Sequence, residues 1–257
     1  MTPVALVTGA SSGIGADLAR VFAENNHALM LVARRQDRLE ALAAEIGGKG
    51  RPRPAVLALD LERRDAAAAL ATELSARGLE PAYVINNAGF GLSGRAAALD
   101  RDQQLAMIDL NVRTLTELSL YFVDSLSRHR GGILNVASVA AFLPGPGMAV
   151  YYATKAYVLS FSEALHRELA GRGIRVTALC PGPVATEFQA RSGMTLPGAA
   201  KLIEVPSLDV ARIGYAALMR GERVAIAGTG NKIAVALMRL MPTGLLMAAV
   251  DRRSGGA

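Results

Sequence analysis

Seven short runs of this chain are apolar almost from end to end: PVALVT (3–8), HALMLVA (27–33), PAVLALD (54–60), AYVINNAG (82–89), GGILNVAS (131–138), GIRVTALCPG (173–182) and RVAIAG (223–228). A strand with one face in water alternates apolar and polar residues, whereas a strand covered on both faces does not. Helix-patterned segments lie between them: ADLARVFAENN (16–26), DRLEALAAEI (37–46), DAAAALATELSARG (65–78) and a long stretch from about Asp102 to His129. This order predicts an α/β fold: a doubly wound, seven-stranded, mostly parallel sheet with helices on both faces. No repeat or low-complexity linker interrupts residues 1–257, which read as one domain. Only 187–206, EFQARSGMTLPGAAKLIEVP, breaks the rhythm, and it reads as a lid over a substrate site.

Composition narrows the classes of function. The chain is 51% hydrophobic but only 5% aromatic, so its core is aliphatic. The lone cysteine, Cys180, excludes an intrachain disulfide and fits a reducing compartment. The first residues carry no basic leader before an apolar stretch. A cytoplasmic location is the expectation. The net charge of +6 is dispersed, with no run of five basic residues, so nucleic acid is not an expected partner. No metal site is expected.

TGASSGIG (8–15) falls between the first run and the first helix pattern. Glycines let backbone approach a pyrophosphate, and a helix N-terminus offers free N–H groups. Gly9, Ser11, Ser12, Gly13, Ile14 and Gly15 are thus candidates for holding a dinucleotide. The spacing is G-x-x-x-G-x-G rather than G-x-G-x-x-G.

With that spacing the chain resembles the short-chain dehydrogenase/reductase family, over about residues 4 to 190. Further motifs carry the resemblance: Asn86, Asn87, Ala88 and Gly89 in NNAG; Asn111 in LNVRT; Ser138 in NVASVA; YYATK from Tyr151 to Lys155; and Pro181 and Gly182 followed by Val184 and Thr186. One departure is Thr114, where the family usually has glycine. The resemblance implies a Rossmann-like fold and a carbonyl–alcohol oxidoreductase. It assigns catalysis to Asn111, Ser138, Tyr151 and Lys155. It further implies that Asn87, Ala88, Gly89, Tyr151, Lys155, Pro181, Gly182, Val184 and Thr186 meet the cofactor.

Two tyrosines precede Lys155, and the family spacing selects Tyr151. Residues four apart on a helix share a face, so Tyr151 and Lys155 can enter one cleft together. Tyr152 is rotated about 100° away. A tyrosine titrates near pH ~10; a neighbouring ammonium and an oxidised nicotinamide both favour its phenolate, which is expected to lower that value. Ser138, at a strand end, is expected to hydrogen-bond the substrate carbonyl oxygen. The family gives Asn111 a water that relays protons to Lys155, although the residue could equally be a buried polar tie.

The end of the second run sets cofactor choice. An unphosphorylated ribose wants an acidic residue there. The sequence has Ala33, then Arg34 and Arg35, whose guanidinium forks suit a 2′-phosphate. NADP(H) is therefore expected. Asp37 and Glu40 read as a capping box instead. Asp60 resembles the family's adenine contact, with Leu61 beside it.

Residues 231–250 are apolar but broken by Arg239 and by Pro242, Thr243 and Gly244, too short on either side to span a bilayer. They leave three roles open: subunit contact in a homodimer or homotetramer, a wall over the substrate, or peripheral membrane contact, the first being favoured. The expected activity is NADP(H)-dependent interconversion of a carbonyl and a secondary alcohol. The apolar lid residues Phe188, Met194, Leu196, Leu202 and Ile203 point to a small apolar substrate. The rival from another class is a dinucleotide-binding sensor or scaffold without turnover; the intact Ser138, Tyr151 and Lys155 weigh against it. A dehydratase or epimerase on the same fold is a weaker rival.

Overall fold

The computed structural model describes residues 1–193, 203–242, 244 and 247. All seven apolar runs are strands: β1 (Thr2–Thr8), β2 (Leu29–Ala33), β3 (Ala55–Ala58), β4 (Leu79–Asn86), β5 (Gly132–Val136), β6 (Arg175–Cys180) and β7 (Val224–Ile226). They form one sheet in the order β3-β2-β1-β4-β5-β6-β7, and every pairing is parallel. The order reverses between β1 and β4, and the crevice beyond the carboxyl ends of strands at such a point is where ligands bind.

Each face buries a large apolar cluster. Helices α1 (Gly13–Glu24) and α2 (Gln36–Gly47) pack on one face with the helix Ser207–Arg220, through Leu18, Phe22, Leu39, Leu42, Val210 and Leu218. Helix α3 (Ala66–Ala76) covers the other face through Leu70 and Leu74, beside Leu118, Leu126 and Leu165. The doubly covered sheet is the physical reason its strands lack alternation. Two asparagines cross this interior. Asn86 Nδ2 donates to Ser119 Oγ and Asn135 Oδ1, both at 2.9 Å, and Asn135 Nδ2 donates to Ser162 Oγ at 2.9 Å.

The long helix expected over 102–129 is broken. It comprises α4 (Arg101–Ile108), a π-helical segment (Asp109–Thr114), α5 (Leu115–Tyr121) and α6 (Val123–Arg128). Side-chain bonds explain the bulge: Asn111 is tied to Phe90, and Thr114 Oγ1 donates to Leu61 O at 2.7 Å. π-Bulges cluster at functional sites. The capping box at Asp37 and Glu40 is also corrected. Arg35 is the N-cap of α2, which puts Glu40 too far along the helix to reach back, and Glu40 pairs instead with Arg53 at 2.7 Å.

Further along come α7 (Ala149–Leu169), α8 (Glu187–Ser192), α9 (Ser207–Arg220) and α10 (Thr229–Leu240). Helix α10 stops before Pro242, with Met241 already extended, as the residue preceding proline prefers. Its Val235 is buried, while Ile233, Leu237 and Leu240 are exposed. Arg239 lies 4.9 Å over the Phe142 ring. Among the described residues, no helix is long and apolar enough to cross a membrane.

Candidate active site

The turn after β1 is joined to the end of β4. Thr8 Oγ1 donates to Ile85 O and accepts from the backbone N–H of Asn87 and Ala88. Asn87 Nδ2 returns bonds to the carbonyls of Thr8 and Gly9. A Cβ on Gly9 would sit 2.7 Å from Asn87 Nδ2, and one on Gly15 would sit 2.3 Å from Gly9 O. Only glycine fits these close approaches, and Gly9 (φ 65°) and Gly13 (φ 55°) also need the left-handed region. The turn faces a cavity of about 1100 Å³ that runs along the sheet's carboxyl edge. Ser11, Ser12, Gly13 and Ile14 line it.

At one end the cavity meets Ala33, Arg34, Arg35, Asp60 and Leu61. Arg34 Nη1 reaches Glu62 Oε1 at 3.2 Å. Arg35 is enclosed more tightly: Nη2 donates to Ser12 Oγ at 2.9 Å and Ser11 Oγ at 3.2 Å, and Nη1 pairs with Glu187 Oε2 at 2.8 Å. Asp60 Oδ1 accepts from the backbone N–H of Glu62 and shapes the turn beside Leu61. Thr114, the departure from family glycine, anchors this turn through the Leu61 carbonyl.

The other end carries the candidate chemistry. Ser138 follows β5 and caps a short 3-10 turn, Val139–Phe142, accepting from Ala140 N at 3.1 Å. Tyr151 and Lys155 lie one turn apart on α7, and both are buried. Tyr151 packs against Phe188, ring centroids 5.4 Å apart. Tyr152 packs over Gly145, where a Cβ would come within 2.4 Å of its ring. Asn111 Nδ2 donates to Phe90 O at 2.9 Å and Thr154 Oγ1 at 3.1 Å, and its Oδ1 accepts from Phe90 N at 3.1 Å. The side chain thus acts as a buried polar tie. Asn111 Oδ1 and Lys155 Nζ also flank one side of Gly89, where a Cβ would lie 2.8 Å and 3.7 Å from them.

The expected lowering of the Tyr151 pKa does not occur in this structure. Burial pushes it up to about 12, against a downward pull from the Ser138 hydroxyl. Lys155 does not counter this because its Nζ donates to Val136 O at 2.8 Å and stands 5.8 Å from the centre of the Tyr151 ring. Burial lowers Lys155 itself to about 8.

A drop from 10.5 to about 8 costs the folded chain roughly 3 kcal/mol, at 1.36 kcal/mol per pH unit. The cost is full below pH 8, where folded and unfolded chains are both protonated, and fades as pH rises to 10.5. Lys155→Met should therefore raise the melting temperature of the cofactor-free protein at pH 7 by about 6 °C. The gain should shrink between pH 8 and 10.5. Calorimetry at pH 7 and pH 10 checks this. A variant less stable at pH 7 would show that the bond to Val136 outweighs the burial of the charge.

The loop after β6 closes the cavity with Pro181, Gly182, Val184 and Thr186. Thr186 Oγ1 caps α8 by accepting from Phe188 N, and its methyl would lie 3.1 Å from a Cβ on Gly13. Gly182 rests on the side chain of Asn231, which would clash with a Cβ there at 2.2 Å. Asn231 was not singled out from the sequence, although it is the one uncharged polar residue opening the apolar 231–242 stretch. It is buried, and Nδ2 donates to Ala227 O at 2.7 Å and Ile203 O at 3.1 Å. Of the expected lid residues, Phe188 and Ile203 line the cavity; Met194, Leu196 and Leu202 lie outside the described residues. Met238 of α10 lines it too, so this helix forms part of the wall. Among the described residues no cluster of His, Cys, Asp and Glu could hold a metal ion.

A glycine turn at the sheet's switch point, a serine at a strand end and a Tyr–Lys pair on one helix, all lining one cleft, define a nucleotide-dependent oxidoreductase class. The short chain dehydrogenase profile matches residues 3–196, and the chain belongs to that family. A sulfoacetaldehyde reductase from Chromohalobacter salexigens is 39% identical over 191 residues, 73% of this chain and 75% of that protein. A short-chain dehydrogenase from Sphingobium yanoikuyae, solved in complex with NADPH, is similar with 35% identity and a TM-score of 0.79 over 95% of each chain. A bulky-bulky ketone specific alcohol dehydrogenase from Comamonas testosteroni shows 30% identity and a TM-score of 0.76, over 96% of this chain and 94% of that one.

Proposed function

We propose that this protein is an NADP(H)-dependent oxidoreductase that interconverts a carbonyl and a secondary alcohol on an apolar substrate. One observation carries the reading: Ser138, Tyr151 and Lys155 line the same continuous cavity as the glycine turn, Arg34 and Arg35. The residues fit a dinucleotide. Gly9 and Gly15 leave space that a Cβ would fill, and the two guanidiniums suit a 2′-phosphate. The similarity to an enzyme solved with NADPH supports the phosphorylated form. When bound, the nicotinamide supplies or accepts the hydride.

Tyr151 Oη gives a proton to the carbonyl oxygen during reduction and takes it back during oxidation. Ser138 Oγ accepts from Ala140 N and donates only a long bond, 3.5 Å, to Pro181 O, so its hydrogen can turn to donate to the same oxygen as charge develops. Lys155, which lines the cavity, would offer a cationic donor to the cofactor's ribose. Asn111 positions it by tying the π-helical segment to Phe90 and Thr154, whose hydroxyl donates to Tyr151 O at 2.7 Å. We retain Asn111 in the proton relay because its Oδ1 shares the Gly89 side of the cleft with Lys155 Nζ.

Phe90, Met148 and Phe188 pack with Tyr151 and line the cavity, as do Leu143 and Met238, and Lys155 is the one cation on the same helix as Tyr151 among the described lining residues. That lining favours an apolar ketone or alcohol over a small anion. Screening carbonyl compounds by loss of NADPH absorbance tests the proposal. Turnover of apolar ketones is expected; NADPH binding with no turnover of any carbonyl would favour the sensor or scaffold. The exposed Ile233, Leu237 and Leu240 of α10 support a homo-oligomer. Sedimentation should give a multiple of 26.8 kDa, and a monomer mass alone would reject that assembly.

A further inference from the structure

We propose that Glu187 is a cofactor-specificity residue: it competes with the ribose 2′-phosphate for the guanidinium of Arg35. The inference rests on the NADP(H) reading above.

Both edges of the Arg35 fork are engaged by the protein. Nε and Nη2 face Ser11 Oγ at 3.4 and 3.2 Å, Nη2 donates to Ser12 Oγ at 2.9 Å, and Nη1 meets Glu187 Oε2 at 2.8 Å. Arg34 is more open, with a side chain 48% exposed and one contact to Glu62. Glu187 is the first residue of α8 and lines the same cavity as Arg35, the residue that precedes α2. Its ion pair therefore spans the phosphate end of the cavity. The next residue, Phe188, packs on Tyr151, so the same short helix reaches the reaction end.

A carboxylate and a phosphate are alternative partners for one guanidinium edge. If both stayed, like charges would be in contact. Arg35 holds the Glu187 carboxyl below its ordinary range, so the competitor is ionised at neutral pH. A 2′-phosphate must displace Glu187, whereas a cofactor with a free 2′-hydroxyl leaves the ion pair intact. Glu187 thus lowers affinity for the phosphorylated cofactor alone, and binding of that cofactor frees α8.

The test titrates NADPH and NADH into the full-length wild type, Glu187→Gln and Arg35→Ala, and follows amide hydrogen exchange over residues 187–193. Glu187→Gln should tighten NADPH by about fivefold, the upper range for an exposed ion pair, and leave NADH within about twofold. NADPH, but not NADH, should speed exchange of this segment in the wild type, and the Gln variant should exchange fast without ligand. An equal change for both cofactors, no change, or weaker NADPH binding would overturn the proposal. A wild type that prefers NADH, with Arg35→Ala neutral, would instead defeat the NADP(H) reading itself. A wild type that prefers NADPH with a ratio untouched by Glu187→Gln would defeat only the competition.

Discussion

Tyr151→Phe is expected to lower turnover by about 10²- to 10⁴-fold, the usual contribution of a positioned acid, with NADPH affinity kept within a few-fold. Tyr152→Phe should retain most of the activity. The structure separates the two rings. Tyr151 is 8% exposed and faces Ser138 and Phe188. Tyr152 packs on Gly145, and its ring gives it a place in the wall. Phenylalanine keeps the ring contacts of either residue, so a loss of activity reports the hydroxyl rather than the fold. The raised pKa of Tyr151, about 12, keeps it protonated at neutral pH, which suits carbonyl reduction. Alcohol oxidation needs the phenolate, so its rate should climb with pH through the alkaline range. Steady-state rates for both variants, in both directions, decide the assignment. A dead Tyr152 variant beside an active Tyr151 variant would move the acid by one residue.

The second large effect concerns cofactor choice. Arg34→Glu should weaken NADPH binding by about ten- to a hundredfold, since a hydrogen bond to a charged group contributes about 1.5–3 kcal/mol. NADH should be nearly unaffected. The substitution also breaks the pair with Glu62 and sets two carboxylates face to face, which adds repulsion toward a phosphate. Ala33→Asp should shift the preference further. Ala33 ends β2, lines the cavity and is 8% exposed, so an added carboxylate there meets the ribose directly. It would accept from a 2′-hydroxyl and repel a 2′-phosphate. Titrating both cofactors into the three proteins measures the change. Equal wild-type affinities, or a preference for NADH that survives Arg34→Glu, would reduce the arginines to solvated charges and reverse the cofactor assignment.

Much of the fold was legible in the chain because its signals are local. The inner strands, such as β2 and β5, are buried on both faces and have no alternation to hide, and all seven apolar runs became strands. The glycine turn is legible for the same reason: a left-handed φ at Gly9 and Gly13 excludes other residues locally. The choice of Tyr151 over Tyr152 follows from helical period together with the family spacing.

Other features depend on partners far away in sequence, and no local pattern encodes them. The break in the helix at Asn111 is held by Phe90 and Thr154, and Thr114 bonds to Leu61. The sequence pattern reads there as one long helical stretch. The capping box failed because α2 begins at an earlier residue than its acidic residues suggest. The direction of the Tyr151 shift required knowing that the ring is buried and that Lys155 donates to Val136. The bond between Arg35 and Glu187 joins two segments that meet only after the sheet has formed. Sequence by itself determined the elements and the kinds of chemistry they carry, because period and turn geometry act within a few residues. Tertiary structure alone decided burial, charge partners and the bulge, because each depends on packing between segments distant along the chain.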